Sequence, residues 1–526
     1  MTTLSTSVVI VGAGPAGLTL AHLLGAEGVD VVLLEKLEST VTEPRAIAID
    51  GESLRTLQKV GLFKGFEDEL ISGVSVDYLN GEGELLFRAG SPEQRPYGFA
   101  TVNSFDQPAL DRYLAKTLER RSSVDLRFSH TLNSFEQGAS GVRILCTDNK
   151  GDELEITADY LVGCDGGRST IRSLLNIEMK GESNPLPWLV IDTRDPYLNG
   201  EPDCRFYCDP KRPGMTMRKR HGERRWEWML MPGEDRDFLL QDENIRDIIA
   251  PYTDVEQVDI YRKRVYDFHA IIADKFQVGR VFLAGDAAHM TPPFAGQGLN
   301  SGFRDVANLS WKLAMVVKGN ANPGILDSYE EERRDHAWQL IEMALNLGQQ
   351  IQPIDPALAA ERDAFFAEVN KDPAAVAAVE EEMFQSIVER SVDKGLIVSS
   401  GCEDVAGRLL IQPELIVDGG RKLLDECIGT GFSIIGYDCD PTEELSREDI
   451  ASWVEMGASV VRIVSEHSAL NADSFLDESL ELATWLGKRE PVIMLVRPDR
   501  FCMACTEPGD AGVVLSRARG VLTKLR

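Results

Sequence analysis

The first apolar segments of the chain follow a strand–helix–strand pattern. Residues 7–11 (SVVIV) form a continuous apolar run, typical of a strand buried on both faces of a parallel sheet. Residues 18–28 (LTLAHLLGAEG) have helical periodicity and end at a glycine, and a second apolar run occupies residues 30–34. This order predicts an α/β fold that begins with a parallel strand pair.

Later segments extend this pattern. Apolar runs at residues 160–162 and 281–284 predict two more buried strands, and residues 300–317 and 326–349 have the periodicity of long helices. A charged, Ala-rich segment at residues 356–390 is predicted to be helical and partly exposed. The parallel sheet is therefore expected to recruit strands that lie far apart in the sequence.

Residues 181–275 differ from their surroundings. Short alternating runs separated by turn residues predict an antiparallel sheet, expected to cover the first domain like a lid, with His221-Gly222 as a hairpin turn. Strand periodicity places Arg205 with Tyr207, and Arg224 with Trp226 and Trp228, on shared faces. The runs are 189–192, 205–208, 215–220 and 224–230.

The C-terminal part of the chain alternates strands and helices in the order β-α-β-α-β-β-α. These elements are predicted at residues 432–436, 447–455, 459–463, 479–486, 492–495, 501–505 and 512–525. The domain division that follows is a first domain in two parts (1–180 and 276–395), an inserted sheet domain (181–275), a connector (396–413) and a C-terminal domain (414–526).

Composition narrows the class of protein. A chain of 526 residues with 43% hydrophobic and 27% charged residues is typical of a folded protein of several domains. Its formal net charge of −30 disfavours binding to nucleic acid or to anionic membranes. No apolar stretch is long enough for a membrane span, and no secretory signal is evident. With nine scattered cysteines, the expectation is reduced thiols in a cytoplasmic protein.

A glycine motif joins the first predicted strand to the first helix. In Gly12-Ala13-Gly14-Pro15-Ala16-Gly17, the first glycine suits a tight turn, the second a close approach to a pyrophosphate, and the third close helix packing. Glu35, at the end of the next strand, can accept hydrogen bonds from ribose hydroxyls. The motif predicts an adenine dinucleotide site and leaves FAD and NAD open.

Two further motifs follow the later strands. Asp165 and Gly166 come after residues 160–162, and Gly285 and Asp286 come after residues 281–284. A carboxylate at a strand end suits a hydrogen bond to a ribityl or ribose hydroxyl, and amides at the start of the helix near residues 298–300 suit an anionic flavin edge. The order and the wide spacing of the three motifs favour FAD.

These motifs give the chain its resemblance to a known family. It resembles the class A flavoprotein aromatic monooxygenases, typified by p-hydroxybenzoate hydroxylase and phenol hydroxylase, which carry GxGxxG, DG and GDAAH…P…GQGxN in this order. Residues 43–49 (EPRAIAI) and 107–110 (QPAL) extend the similarity, which covers essentially the whole chain. The resemblance implies an FAD-binding Rossmann-like domain of the glutathione-reductase type and a thioredoxin-like C-terminal domain.

The resemblance also implies a cofactor site. The residues expected to bind FAD are Gly12, Gly14, Ala16, Gly17, Glu35, Lys36, Arg45, Gln107, Asp165, Gly285, Asp286, Gly298, Leu299 and Asn300. Reduced nicotinamide is expected to bind only transiently, since the chain has one dinucleotide fingerprint and no second one.

The implied activity is FAD-dependent hydroxylation of an aromatic ring in aromatic catabolism, with NADH or NADPH and O2, through a C4a-hydroperoxyflavin. The expected reaction is ortho-hydroxylation of a phenol such as 3-(3-hydroxyphenyl)propionate to a catechol. One alternative is a monooxygenase on the same scaffold that acts on a hydroxyquinoline or a polyketide, or by Baeyer–Villiger insertion. The other is a non-catalytic flavin-binding protein.

The sequence offers candidates for the substrate pocket. Seven Lys and Arg residues cluster within residues 211–225, and an arginine with an aromatic wall would suit a carboxylated aromatic substrate. The alternative is a solvated hairpin whose cations pair with Asp and Glu. The candidates for substrate binding are Ile47, Arg205, Tyr207, Arg220, Trp228 and Pro293. His289 and Pro293 are candidates for a catalytic role, and a structural role for His289 is favoured.

The C-terminal domain is expected to be inactive in redox chemistry. Cys502 and Cys505 form a C-x-x-C on a predicted strand, where alternation would place them on opposite faces. We expect a packing role or a contact in a homodimer. No pattern of metal ligands is found around Cys204 and Cys208.

Overall fold

The structure is a computed structural model. It describes residues 2–43, 45–183, 186–194, 203–388, 390–399, 401–467, 474–487 and 491–523. Pro44, part of the segment 43–49, lies outside the described residues.

The helices and strands are as follows. Up to residue 183 they are β1 (Thr2–Val11), α1 (Pro15–Ala26), β2 (Val31–Leu34), β3 (Ala48–Ile49), α2 (Gly51–Lys59), β4 (Ile71–Ser72), β5 (Val76–Asn80), β6 (Leu85–Ala89), β7 (Asn103–Ser104), α3 (Gln107–Leu118), β8 (Val124–Arg127), β9 (His130–Gly138), β10 (Gly141–Asp148), β11 (Glu153–Gly163), α4 (Thr170–Leu174) and β12 (Met179–Ser183). The middle segment contains β13 (Trp188–Arg194), β14 (Cys204–Cys208), β15 (Gly214–Arg218), β16 (Glu223–Met229), α5 (Arg236–Leu239), α6 (Asp242–Ile249), β17 (Asp259–Tyr266) and β18 (His269–Ala273). It is followed by β19 (Gln277–Val278), β20 (Val281–Leu283), β21 (His289–Met290), α7 (Gln297–Val317), α8 (Ser328–Ile351), α9 (Pro356–Val369) and α10 (Pro373–Val388). The C-terminal segment contains β22 (Glu414–Val417), β23 (Gly420–Leu423), α11 (Leu424–Ile428), β24 (Ser433–Tyr437), α12 (Pro441–Glu444), α13 (Arg447–Glu455), β25 (Ser459–Val464), β26 (Ser474–Leu476), α14 (Glu481–Trp485), β27 (Val492–Val496), β28 (Cys502–Thr506) and α15 (Ala511–Thr523).

The main sheet confirms the predicted α/β architecture. Its strands run in the order β19-β20-β11-β1-β2-β8, and β20, β11, β1, β2 and β8 are mutually parallel. Val8, Val9 and Ile10 of β1 are fully buried, as the continuous apolar run predicts. The strand after residue 280 therefore lies beside one that ends at residue 163, although more than a hundred residues separate them.

A second sheet covers the carboxyl edge of the first domain. Its order is β17-β13-β16-β15-β14-β5-β6, and the strands of the middle segment pair antiparallel as expected. Sequence reasoning missed β5 and β6, which come from the first segment and complete this sheet through parallel pairing of β5 with β14. Because β5 and β14 are more than a hundred residues apart in the chain, no local sequence pattern indicates that they pair.

The two faces of this second sheet pack differently. On the inner face, Trp188, Met215 and Met229 share a hydrophobic cluster with Ile47 and Phe294 of the first domain. The alternate residues form the outer face, on which β13 and β16 pack against α5 and α6. The inner face of the second sheet therefore packs against the first domain, and the outer face packs against α5 and α6.

Helix boundaries depart from the predictions in two places. Helix α7 begins at Gln297, three residues before the predicted start, because Gly296 adopts a left-handed conformation (φ 64°) that ends the preceding turn. The segment 356–390 forms α9 and α10 as two helices. Among the described residues, none of the helices combines the length and the apolar character needed to cross a bilayer.

The C-terminal segment forms a sheet with the order β23-β22-β26-β25-β24-β27-β28. The predicted elements are present, and the hairpin β22–β23 and the short β26 were missed. The prediction that Cys502 and Cys505 lie on opposite faces of their strand was wrong. A bulge opposite Leu495 and Val496 shifts the register of β28, and both cysteines belong to the same buried cluster. Burial raises the pKa of the Cys502 thiol to about 12, which disfavours a reactive thiolate.

Candidate active site

Three motifs that are remote in sequence meet at one edge of the main sheet. Val11 pairs with Leu34 on one side and with Gly163 on the other, and Gly163 pairs with Leu283. Because these strands are parallel and in register, the loops that follow them lie side by side. The glycine motif, the Asp165 loop and the Asp286 loop therefore line one crevice, which is where α/β sheets bind their ligands.

The glycines have the separate tasks that their spacing predicts. A Cβ on Gly12 would lie 2.3 Å from the Cys164 carbonyl oxygen, and one on Gly17 would lie 1.9 Å from the Gly12 carbonyl oxygen. Gly14, the N-cap of α1, is different: a Cβ there would have no heavy atom within 4 Å. Gly12 and Gly17 permit close packing. Gly14 instead leaves open space in front of the helix N-terminus, where a phosphate would bind.

Two carboxylates face the same loops. Glu35 accepts a hydrogen bond from the Ala13 amide (2.8 Å) and another from the Leu37 amide (2.9 Å). Oδ2 of Asp165 accepts from the Thr170 amide at 2.7 Å, while its Oδ1 is buried without a hydrogen-bond partner among the described residues. An unpartnered buried carboxylate oxygen in this crevice suits a ligand with hydroxyl or amide donors.

Arg45, Gln107 and Asp286 also lie close together. Oε1 of Gln107 accepts from the Arg45 and Ala46 amides (3.0 and 2.8 Å), and the Arg45 guanidinium lies 3.3 Å from Asp286. The Arg45 side chain is 68% exposed. Gln107 thus fixes the backbone of this segment, and the exposed ion pair stays available to a ligand with phosphate and hydroxyl groups.

The start of α7 contributes backbone amides rather than side chains. Asn300 is buried, and its Oδ1 accepts from the Asp50 amide and the Ser53 hydroxyl (3.0 and 2.8 Å). Gly298 and Leu299 are half-buried in the first turn, whose amides have no partner within the helix. This arrangement can face a partial negative charge on a flat ring system.

The remaining predicted cofactor residues lie around these loops. Ala16 packs between Gly285 and α7, since a Cβ on Gly285 would lie 3.2 Å from the Ala16 Cβ. Lys36 is exposed beside Glu35. Pro293 is half-buried in the short turn before α7, and the next residue, Phe294, shares a hydrophobic cluster with Ile47.

His289 lies behind the crevice. Its side chain is fully buried, and its Nε2 donates to Oδ2 of Asp305 at 2.7 Å. The same carboxylate accepts from the Gly285 amide (2.9 Å) and, through Oδ1, from Arg333 (2.9 Å). Burial by itself would raise the pKa of Asp305, but His289 and Arg333 bring it below its usual value. This placement favours the structural role for His289, because the network anchors the Gly285–Asp286 loop.

The variant Asp305→Asn tests this anchor. Removing the charge leaves Arg333 buried without its carboxylate, so we expect the free energy of unfolding to fall by ~3 kcal/mol. Retention of FAD should weaken in parallel, because the Gly285 amide loses a charged acceptor. Denaturant titration and cofactor content after gel filtration measure the two effects. As a control, Asp335→Asn removes an exposed partner of Lys394 and should change stability by less than ~1 kcal/mol. Equal stability of the two variants would contradict the anchoring role.

The structure corrects the predicted substrate residues. Tyr207 stacks on Trp228 (5.6 Å between ring centroids) on the outer face, against α6, and Arg205 shares the face of Tyr207. Arg220 is exposed at the hairpin tip, where it donates to the Asp68 carbonyl. Period-two reasoning grouped these residues by face correctly, but nothing in a strand pattern tells which face will cover the crevice. Of the predicted set, Ile47 packs with inner-face residues of the second sheet, and Pro293 directly precedes Phe294 of the same cluster.

The inner face carries a charged row that sequence reasoning missed. Arg225 pairs with the fully buried Asp192 (2.9 Å), which Arg262 also contacts. Arg225 also donates to the Arg45 carbonyl oxygen at 2.8 Å, which ties the sheet to the predicted cofactor segment. Burial alone would raise the pKa of Asp192, but these cations lower it. Glu227, the next inner-face residue on β16, is buried beside Arg225 (3.6 Å).

Comparison with known proteins agrees with this geometry. The profile of the FAD binding domain family matches residues 5–344, and the profile of the HcaD C-terminal domain matches residues 407–520. The chain therefore belongs to the FAD binding domain family, and it is a flavoprotein monooxygenase with FAD as cofactor. The resemblance found in the sequence is confirmed.

Within the family, named relatives match over the full length. The 3-(3-hydroxy-phenyl)propionate/3-hydroxycinnamic acid hydroxylase 2 of Burkholderia vietnamiensis is 38% identical over 523 residues, 97% of this chain and 95% of that protein. The corresponding hydroxylase of Escherichia coli (strain SMS-3-5 / SECEC) is 35% identical over 533 residues, 99% of this chain and 96% of that protein.

Solved structures share the fold at lower identity. Aklavinone-11 hydroxylase, in a ternary complex with FAD and aklavinone, has a TM-score of 0.79 and 22% identity, and 99% of each chain is covered. An anhydrotetracycline hydroxylase from Streptomyces rimosus has a TM-score of 0.78 and 24% identity, again with 99% of each chain covered. At this identity the likeness concerns the fold alone.

Proposed function

We propose that this chain hydroxylates 3-(3-hydroxyphenyl)propionate, or the related 3-hydroxycinnamic acid, ortho to the phenolic hydroxyl and releases a catechol-type diol. The observation that carries the proposal is the identity of 35–38% over nearly the whole chain to hydroxylases with these substrates. NAD(P)H would supply the electrons and O2 the oxygen atom. The convergence of the three loops on one crevice supports the same assignment, because a flavin cofactor would be held by all three of them.

Reduced FAD would activate O2, and the residues of the chain would hold FAD in position. The open space at Gly14 and the N-terminus of α1 would take the pyrophosphate, and Glu35 the adenosine ribose. Arg45 and Asp286 would take the phosphate and ribityl hydroxyls. Asp165, with its unpartnered oxygen, would serve both FAD and the transient nicotinamide. Gly298, Leu299 and Asn300 would present amides to the ring.

The substrate would bind between the inner face and the start of α7. Ile47, Phe294 and Met215 supply an apolar wall that excludes water, and water exclusion protects the activated oxygen from wasteful release as peroxide. Arg225 and Arg262 lie at one end of this wall, where both contact the buried Asp192 carboxylate.

The other parts of the chain complete the proposal. The C-terminal segment would be a thioredoxin-like domain without redox activity, since Cys502 and Cys505 are buried within it. The two parts of the FAD domain, with the sheet domain inserted between them, would form a glutathione-reductase-type arrangement. A homodimer and a cytoplasmic location stay predictions.

A substrate panel tests the proposed function. Purified holoenzyme should oxidise NADH or NADPH several-fold faster with 3-(3-hydroxyphenyl)propionate than without it, with matching O2 uptake and a product heavier by one oxygen. The control is 3-phenylpropionate, which keeps the carboxylate but lacks the hydroxyl that activates the ring. A ring-expanded product would favour Baeyer–Villiger insertion. Turnover of polyketides alone would favour a monooxygenase on the same scaffold that acts on a polyketide. Reduced flavin that is stable in air would refute monooxygenase activity.

A further inference from the structure

Glu227 is a buried carboxyl group on the inner face of the second sheet. It lies on β16 between Arg225 and Met229, and all three point to the same side because strand side chains alternate. Its neighbours across the sheet are Val190 on β13 and Met215 on β15. The ion pair with Arg225 is long (3.6 Å), and the Glu227 side chain is 10% exposed. Burying a carboxyl group beside apolar residues without a close ion-pair partner costs free energy, so a functional reason for Glu227 is expected.

The flanking residues show where Glu227 points. On one side, Arg225 donates to the Arg45 carbonyl oxygen at 2.8 Å. On the other side, Met229 pairs with Trp188, whose ring packs edge-on against Phe294 at 5.6 Å. Glu227 therefore lies between the two contacts by which the sheet rests on the Arg45–Ile47 segment and on the turn before α7. The proposed substrate ring would lie against this part of the inner face.

Burial and the neighbouring charges shift the pKa of Glu227 in opposite directions. Burial raises the pKa of Glu227; Arg225 and Arg262 lower it and Asp192 raises it, so that the net direction is upward. The titratable and charged groups that surround Glu227 from the elements packed against it are Arg225, Asp192, Arg262, Arg264, Cys204 and Arg45. A carboxylate that loses solvation in this way becomes a stronger proton acceptor.

We propose that Glu227 is the base that accepts the phenolic proton, an assignment that rests on the proposed function. In this step the phenolic O–H bond breaks and a new O–H bond forms on a Glu227 carboxyl oxygen. The electron pair of the broken bond moves toward the ring, which thereby becomes the stronger nucleophile for the oxygen atom supplied by the monooxygenase reaction. A carboxylate suffices, because the phenol becomes far more acidic as the ring attacks.

The matched variants are Glu227→Gln, which keeps the shape but cannot take a proton, and Glu227→Asp, which keeps a carboxyl group. Glu84→Gln, in an exposed turn of the same sheet, is the control. All three are measured as FAD-loaded enzymes, with flavin absorbance and thermal midpoint as checks of folding. We expect Glu227→Gln to lower the rate of coupled hydroxylation ~100-fold while Glu84→Gln matches the parent. Glu227→Asp should recover part of the loss.

Three readouts separate a base from a residue that only supports the pocket. The parent rate should rise with pH through the raised pKa of Glu227, and this limb should vanish in Glu227→Gln. The dissociation constant of 3-(3-hydroxyphenyl)propionate, followed by the flavin absorbance change without NADH, should depend on pH in the parent only. A ring-fluorinated substrate, whose hydroxyl is more acidic, should narrow the gap between the two enzymes.

The outcomes distinguish the two claims. If the parent enzyme hydroxylates the phenol and Glu227→Gln retains its rate and pH profile, the role of Glu227 is refuted and the proposed function stands. An equal loss of rate at every pH, with no rescue by the fluorinated phenol, would also refute a base. If the parent enzyme yields no diol from any phenol, the proposed function fails, and the role of Glu227 fails with it.

Discussion

Substituting Gly14 with valine should leave the fold intact and yield protein without FAD. Gly14 has extended backbone angles (φ −80°, ψ −178°) that valine adopts readily, and a Cβ there meets no protein atom within 4 Å. The added side chain would instead occupy the space in front of α1 that the pyrophosphate needs. We expect the affinity for FAD to fall at least ~100-fold, equivalent to about 2.7 kcal/mol. Flavin absorbance of the purified protein and titration of the apoprotein with FAD measure the effect.

The matched control for this variant is Gly138→Val. Gly138 is also free of neighbours within 4 Å of an added Cβ, but it lies at the end of β9, away from the crevice. This variant should bind FAD as the parent does. The thermal midpoints of the two apoproteins should agree closely. If Gly14→Val retains the cofactor with parental affinity, the pyrophosphate does not bind in front of α1, and the proposed site is misplaced.

Replacing Glu332 with glutamine should cause the largest loss of stability. The Glu332 side chain is fully buried on α8 and binds both Nη atoms of Arg497 at 2.8 Å and Lys312 at 2.9 Å. Arg497 follows β27, so this cluster connects the FAD domain to the C-terminal segment. Because the substitution removes the carboxylate that Lys312 and Arg497 share, and leaves Arg497 with Asp499 alone, we expect the free energy of unfolding to fall by ~3–5 kcal/mol. Denaturant unfolding followed by fluorescence measures this change.

The control for Glu332 is its neighbour in sequence. Glu331 is exposed on the same helix, so Glu331→Gln should shift stability by less than ~0.5 kcal/mol. An unfolding midpoint shared by both variants would show that the buried cluster contributes no net stability.

The pH dependence of unfolding gives a second test of the same cluster. Burial alone would raise the pKa of Glu332, but Arg497 and Lys312 bring it well below its usual value. Its contribution to stability is therefore complete above the unfolded-state value, near pH ~4, and is lost as the pH falls further toward the folded-state value. Glu332→Gln should remove this part of the acid sensitivity.

The cofactor crevice could be predicted from the sequence because its signals are local. Gly12, Gly14 and Gly17 follow a buried run directly, and Asp165 and Asp286 each follow another. Carboxyl ends of adjacent parallel strands share one edge, so three separate motifs were enough to predict one crevice. The structure adds the reasons for each glycine, and it shows that Asn300 uses its side chain to hold the helix start in place.

The substrate side could not be predicted in the same way. Alternation grouped Tyr207 with Arg205, and Trp226 with Trp228, but which group faces the crevice depends on how the sheet docks onto the first domain. Nothing in the sequence distinguished Arg225 from the other six clustered cations, or Glu227 from other acidic residues. Both residues are distinguished by burial, and Arg225 also by its hydrogen bond to the Arg45 carbonyl oxygen. The bulge that brings Cys502 and Cys505 to one face depends on the partner strand β27, which the sequence of β28 does not contain.

The order of apolar runs, turns and glycines thus determined the class of fold, the dinucleotide crevice and the family, since each depends on short stretches of neighbouring residues. Tertiary structure alone decided which sheet face covers the crevice, which strands complete that sheet, and which buried charges meet. Those outcomes arise from packing and pairing between residues far apart in the chain, where the free energy depends on the partner and not on the local pattern.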